Sequence, residues 1–261
     1  MVQGNTAIRR LKLLVAQVQD FYRLTLMSLA GIFGRPAYFH EIARHMDGAG
    51  TGSIGIVVIV SVFIGMALSL QIITELSVMG LKMYTGQIIG TAIISEIGPV
   101  IIAIVYAGRV GSGTASELGS MKLNRQVDAL RVYGVDPVKK LVIPRVIGGV
   151  VVLPALTFIG DVASLSGGAY IAVFIHDQSP SVYWNQVRAI LHPRWILPGG
   201  IKPLVFGLFI ALISCYTGIA ATGGSQGLQR ATTRAFVNSV IMIIILDFVV
   251  TRMILFFMGN M

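Results

Sequence analysis

RVGSGTASELGSMKLNRQVDALRVYGVDPVKKLVIPR, residues 109–145, is the one long polar interval in a chain otherwise built of apolar blocks. Seven of the twenty Lys and Arg fall in it: Arg109, Lys122, Arg125, Arg131, Lys139, Lys140 and Arg145. Such an interval belongs in water, so the apolar blocks on either side are read as passing through a membrane and out again. Within it Leu123, Val127, Leu130 and Gly134 recur at helical spacing, while Lys122, Arg125 and Asp128 point the other way, which predicts an amphipathic helix. Gly134 reads as the C′ residue that ends it, and Asp136-Pro137 as the N-cap and first position of the next helix. A short amphipathic helix on the basic side of a membrane reads as a docking element. An ordinary solvated loop helix fits the spacing equally well.

Composition bounds the rest. Of 261 residues 55% are hydrophobic and 12% charged, and the mean hydropathy is +0.81. That is an integral membrane protein with no sizeable soluble domain left over. The formal charge of +9 belongs to membrane topology and anionic lipid rather than to nucleic acid, because no basic and aromatic face of the kind nucleic acid needs is present. Cys215 is alone, which excludes an intrachain disulfide and a cysteine metal site. His40 and His45 are five residues apart, on different helix faces, so no metal is expected.

Working outward, span two covers about residues 85–108 and carries Glu96 before Gly98-Pro99, which is expected to interrupt its helix. Span one covers about 51–75, inside 27 uncharged residues between Asp47 and Glu75, enough to cross a core of about 30 Å. Gly86 and Gly90 form a GxxxG that could pack helices within or between subunits. Ahead of span one, Ile8, Leu11, Val15, Val18, Tyr22, Leu26 and Leu29 form one stripe of an interfacial helix ended at Gly34-Arg35-Pro36. Arg9 and Arg10 lead a stretch too polar for a cleaved signal peptide. Span three, about 138–175, is expected to be broken by Pro144 and Pro154 and carries Asp161. Residues 177–200, with Tyr183, Trp184 and Trp195, read as an interfacial piece on the far side. Span four, about 203–222, leads through Gly223, Gly224 and Gly227 to span five, about 235–257, with Asp247 and Arg252. Fifteen basic residues then fall on the N-terminal side and four, Lys82, Arg188, Arg194 and Lys202, on the other. By the positive-inside rule the N-terminus is cytoplasmic and the C-terminus periplasmic. The whole is one domain, 1–261: an N-terminal segment 1–47, a bundle 51–258, and a cytoplasmic coupling region 109–137.

Acids inside spans are costly, so Glu96, Asp161 and Asp247 are functional candidates. Asp247 has Arg252, Arg230 and Arg234 as potential partners. Glu96 stands beside the expected helix break, where a site could open. No HExxH or phosphate loop with its Lys occurs, so the chain is not read as an enzyme. If ATP drives it, another subunit hydrolyses the ATP.

The run 107–145, with SEIGPV before it and TGGSQGLQRATTRAFVNSVIMIIILDFVVT near the end, resembles the MlaE family of ABC-transporter permeases over nearly the whole chain. The resemblance implies an all-α inner-membrane homodimer with an interfacial helix and five spans in each subunit. It implies as partners an MlaF-like ATPase, which holds ATP and Mg, an MlaB-like STAS protein and an MlaD-like MCE protein, with phospholipid as the substrate class. Carried over, ATPase contacts fall on Arg125, Asp128, Leu130 and Arg131, and a lipid pocket at the dimer interface on Leu68, Gln71, Leu76, Met79, Glu96 and Ile97. The family's Arg before the Glu is Ser95 here, which removes the expected Glu–Arg pair. Glu96 is then left protonated, or meets a lipid headgroup amine or another helix. The competing reading is an ion-coupled secondary transporter with Glu96, Asp161 and Asp247 as a relay.

Overall fold

The structure, a computed structural model, describes the backbone of residues 2–31 and 38–259, and the side chains of 15–31 except 17, 38–192 and 196–257. The break expected at Gly34-Arg35-Pro36 and the side chain of Trp195 lie outside the described residues. Every regular element among those residues is helical: α1 (Val2–Gly31), α2 (Phe39–Val78), α3 (Lys82–Leu123), α4 (Gln126–Val132), α5 (Val138–Ile175), α6 (Pro180–Ala189), α7 (Pro193–Ile219) and α8 (Gly224–Gly259). Five of them, α2, α3, α5, α7 and α8, are long and apolar enough to cross a membrane. The chain is a multi-pass, all-α membrane protein.

The spans are longer than the hydropathy minima. α2 absorbs the polar residues from Phe39 to Asp47, and α3 continues past Gly108 through Arg109 to Leu123, so the polar interval that opens at Arg109 begins as helix. Neither proline of α5 breaks it: Pro144 starts the regular part, and Pro154 sits within an unbroken helix. Gly98-Pro99 does not interrupt α3 either, because the chain relaxes there by a π-turn over Ile93–Ile97, one wide turn that absorbs the misfit without ending the helix.

Small residues set the packing. In α2 the buried positions Ala49, Ser53, Val57, Ser61, Gly65, Ser69 and Ile73 recur every four residues, followed by Leu76. Against them α5 brings Gly160, Ser164, Gly167 and Gly168, so closely that a Cβ at Gly65 would lie 1.8 Å from the Ser164 carbonyl oxygen. The hydroxyls of Ser164 and Ser69 donate to the carbonyls of Ser61 and Gly168 across this seam. With hydrocarbon outside, close backbone approach and interhelical hydrogen bonds replace the hydrophobic effect as the cement. The Gly86/Gly90 pair is spent inside the subunit, where it seats α6: a Cβ at Gly86 would meet the Tyr183 carbonyl, and one at Gly90 the Ile190 side chain. Tyr183 is fully buried there and its hydroxyl donates to Leu165 O.

At the end where α4 lies, Leu118, Val127, Leu141, Val142, Leu212 and Cys215 form one cluster, joined by Phe21 and Leu24 of α1. The expected stripe of α1 is not the face that docks. Val15, Val18, Tyr22, Leu26 and Leu29 are exposed, while Phe21, Leu24 and the buried Ser28 meet the bundle. α1 is thus apolar on two sides, one for the bundle and one available to lipid, as suits a helix lying along a membrane surface.

Candidate functional site

Glu96 projects from the π-turn of α3 toward α7 and α8. Gly199 of α7 lets that helix ride against α3, since a Cβ there would fall 2.4 Å from Ile94 O. One helical turn later α7 delivers Lys202. Its Nζ donates to Glu96 Oε2 at 2.5 Å and lies 2.8 Å from Asp247 Oδ1, an ion-pair contact outside hydrogen-bond angles. Thr251, one turn beyond Asp247 on α8, donates to Glu96 Oε1 at 3.4 Å. The lysine side chain has no exposed surface, whereas Glu96 and Asp247 keep 43% and 25% of theirs. Two carboxylates sharing one ammonium leave a formal charge of −1 on a group that three spans hold between apolar walls. Hydrophobic replacement of such a cluster is often no less stable, which makes it a candidate functional site.

Two expectations are corrected here. Lys202, counted with the charges of the far side, lies within the bundle as the fully buried partner of Glu96. Asp247 is paired by Lys202 and not by Arg252, Arg230 or Arg234. The missing arginine at position 95 therefore does not leave Glu96 without a cation, since α7 supplies one. The signal in the sequence was indirect: three acids in spans call for a cation at the same depth, and Lys202 lies nine residues after the start of α7 at Pro193.

Asp161 stands apart. It is 9% exposed, its Oδ1 packs over Gly98 where a Cβ would be 2.0 Å away, and that oxygen has no hydrogen-bond partner. It lines a cavity of about 230 Å³ with Pro154, Phe158, Leu191 and Gly199.

The residues expected to form a lipid pocket are placed on several surfaces. Ile97 turns away from Glu96 into a narrow gap beside Ser61 and Ile64. Leu68 packs against the cluster of Ile73, Ile89 and Tyr183. Leu76 is buried and its carbonyl accepts from Leu81 N–H in the turn that ends α2. Gln71 and Met79 face outward, Met79 being 71% exposed.

The polar connection is built as a bracket. The expected helix from Leu123 to Gly134 is split at Asn124-Arg125, where Arg125 takes a left-handed conformation (φ 58°) and starts α4 at Gln126. At the other end Gly134 has φ 73°, with Gly134 N–H donating to Arg131 O and Val135 N–H to Leu130 O, the paired bonds of a Schellman cap. Asp136 Oδ1 accepts from Val138 N–H at 2.9 Å and so caps α5. Val127 and Leu130 anchor α4 inward. Asp128 is bound by Lys122 at 3.0 Å, with Arg131 at 4.0 Å, and the lysine hydrogen bond holds its carboxyl below the usual carboxylate range. Arg125, Arg131, Val132 and Tyr133 face outward, the last two 86% and 83% exposed. Of the four expected contact residues, Leu130 points into the protein and Asp128 is engaged locally, while Arg125 and Arg131 are presented.

Residues 42–253 match the family described as "Permease MlaE". A probable ABC transporter permease protein of Rickettsia bellii is 34% identical over 250 residues, 96% of each chain. The intermembrane phospholipid transport system permease protein MlaE of Haemophilus influenzae is 29% identical over 243 residues, 90% of this chain and 93% of its own. The protein trigalactosyldiacylglycerol 1, chloroplastic, of Arabidopsis thaliana is 36% identical over 222 residues, 85% of this chain and 63% of its own. With most of its length matched, and with five spans, the chain belongs to the MlaE family of ABC-transporter permeases.

Proposed function

We propose that this permease moves phospholipid between the inner and outer membranes, as a homodimer in the inner membrane with its N-terminus cytoplasmic and its C-terminus periplasmic. ATP and Mg are bound by a separate MlaF-like ATPase; an MlaB-like STAS protein and an MlaD-like MCE protein complete the assembly. The observation that carries the reading is the Glu96–Lys202–Asp247 cluster: one small polar group in an apolar bundle is what a carrier of lipids needs, a few contacts for a head and hydrocarbon for the tails. Glu96, still partly exposed, is the member able to meet a headgroup. Of the remaining pocket residues, Gln71 and Met79 face outward and are proposed to meet lipid where two copies face each other, with Leu68, Leu76 and Ile97 shaping that wall from inside the subunit. The outward apolar residues Ile59 and Phe63 of α2 and Ile244 and Phe248 of α8 are available for the second copy and for lipid.

The coupling-helix face proposed to meet the ATPase is Arg125, Arg131, Val132 and Tyr133, with Asp128 and Leu130 holding α4 in place. The alternative of an ion-coupled carrier is less well supported, because Lys202 already occupies two acids of its relay, Glu96 and Asp247. The test is reconstitution of the chain with its ATPase in liposomes and transfer of labelled phospholipid. Val132→Ser with Tyr133→Ser should lose ATPase binding with the permease intact, and Glu96→Leu should lose transfer with ATPase binding intact. ATP-independent transfer driven by an ion gradient would sink the proposal.

A further inference from the structure

A second polar site lies at the other end of the bundle, between the start of α2 and the later part of α3. A cavity of about 240 Å³ is lined there by Arg44, His45, Gly48, Arg109, Thr114 and Glu117 among others. Its charges are not balanced. The Glu117 carboxylate is taken by the buried guanidinium of Arg145 at 2.8 Å, and among the described residues no carboxylate lies in ion-pair range of Arg44 or Arg109. Two guanidiniums are left facing one small space.

Arg109 is also held in place. Its Nη1 donates to Ser53 Oγ at 2.7 Å, and its guanidinium lies over Gly52, where a Cβ would be 2.2 Å from Nη2. The floor is clear of side chains, since a Cβ at Gly48 or Gly113 would meet nothing within 4 Å. A planar fork of donors fixed at one edge, with a second guanidinium beside it, is the arrangement that grips a phosphate. Depth specifies the source. Along α3, Arg109 is about 40 Å from Lys82, beyond a hydrocarbon core of about 30 Å. The pocket therefore opens at headgroup level, on the side where the basic residues gather.

We propose that the Arg44–Arg109 pocket binds the phosphodiester headgroup of an anionic phospholipid in the leaflet on the coupling-helix side. Basic pockets between spans are the usual way a membrane protein selects such lipids. This site is separate from the Glu96 cluster, and its argument rests on charge, geometry and depth without the transport reading.

The test is native mass spectrometry of the full chain, without ATPase, released from nanodiscs of equal phosphatidylglycerol and phosphatidylcholine. Wild type should retain phosphatidylglycerol about tenfold over phosphatidylcholine, and Arg44→Gln with Arg109→Gln should bring the ratio near one. Gly52→Ala keeps both charges but displaces the guanidinium, so it should lower the ratio severalfold even if the double variant fails to fold. A ratio near one in wild type, or an unchanged ratio in both the double variant and Gly52→Ala, would overturn the proposal. Displacement of the lipid by excess inorganic phosphate would assign the pocket to a soluble anion and overturn its lipid half.

Discussion

Replacing Lys202 by Met keeps the buried stem of the side chain and removes only its charge. The ammonium holds Glu96 Oε2 at 2.5 Å and Asp247 Oδ1 at 2.8 Å. At an effective dielectric of about 20 each contact is worth roughly 6 kcal/mol of gross attraction, most of it offset by taking the ions out of water. The net pair is thus worth little, but the unpaired remainder is expensive. Lys202→Met changes the formal charge of the cluster from −1 to −2, whereas Glu96→Gln or Asp247→Asn changes it to zero. Unpairing a buried ion costs about 3–5 kcal/mol; the lower end applies because both carboxylates retain some exposure. A loss of about 3 kcal/mol lowers the melting temperature by on the order of 5–10 °C. Either single acid variant should cost about 1 kcal/mol, and adding Glu96→Gln to Lys202→Met should recover part of the loss. The assay is thermal unfolding in detergent followed by size exclusion, with lipid transfer measured on the surviving fraction. If Asp247→Asn proved as damaging as Lys202→Met, or if Lys202→Met were neutral, the shared-ammonium account would be wrong.

Three further outcomes follow from the packing and the bracket. Gly65→Val should prevent the α2–α5 seam from forming, with loss of monodisperse protein on size exclusion, while Gly55→Val, where a Cβ would meet nothing within 4 Å, should be tolerated. Gly134→Ala forces a Cβ into φ 73° and should cost about 1 kcal/mol locally, read as faster hydrogen exchange over Gln126–Val132 and weaker ATPase binding, with Gly113→Ala as the silent control. Because the Asp128 carboxyl is held below its ordinary range, the Lys122 pair contributes above the unfolded carboxylate pKa of about 4 and is lost as pH falls through the lower folded value. The ratio of hydrogen-exchange protection of α4 in wild type to that in Asp128→Asn should therefore fall toward one on acidification, and a ratio flat with pH would refute it.

The fold was legible where physics leaves one solution. Uncharged runs long enough to cross hydrocarbon must be helices, so five spans could be counted from residues alone, and α5 was even bounded correctly at Val138 and Ile175. Turn chemistry was equally local: Gly134 and Asp136 act as the cap residues their types suggest. What failed was the equation of polar with non-helical. Ser112, Thr114 and Glu117 are polar, yet α3 continues through them because nothing in that stretch breaks a helix and Leu118 gives it a buried face. Pro99 and Pro154 misled in the opposite direction, since a π-turn or a neighbouring helix can accommodate a proline inside a span.

The site was legible by half, and the missing half has one cause. Glu96, Asp161 and Asp247 could be singled out because an acid among apolar residues is visible in one dimension. Their partners depend on which helices touch, and that is set by small residues such as Gly199, whose closeness to Ile94 brings α7 against α3 at the level of Glu96. Lys202 lies near the start of its span, where hydropathy reads a lysine as a solvated anchor. Nothing in the composition of that segment distinguishes an anchor from a buried counter-ion. The count of charges does. Arg252 could answer at most one of the three acids in spans, so a further cation at their depth was called for, and the far-side cations were the nearest supply. Of the four, Arg188 belongs to α6 outside the spans, Lys82 is the first residue of α3 and donates to His176 O, and Arg194 is the second residue of α7. Lys202 is the one more than two turns inside its span, and it is the one that pairs with Glu96 and Asp247.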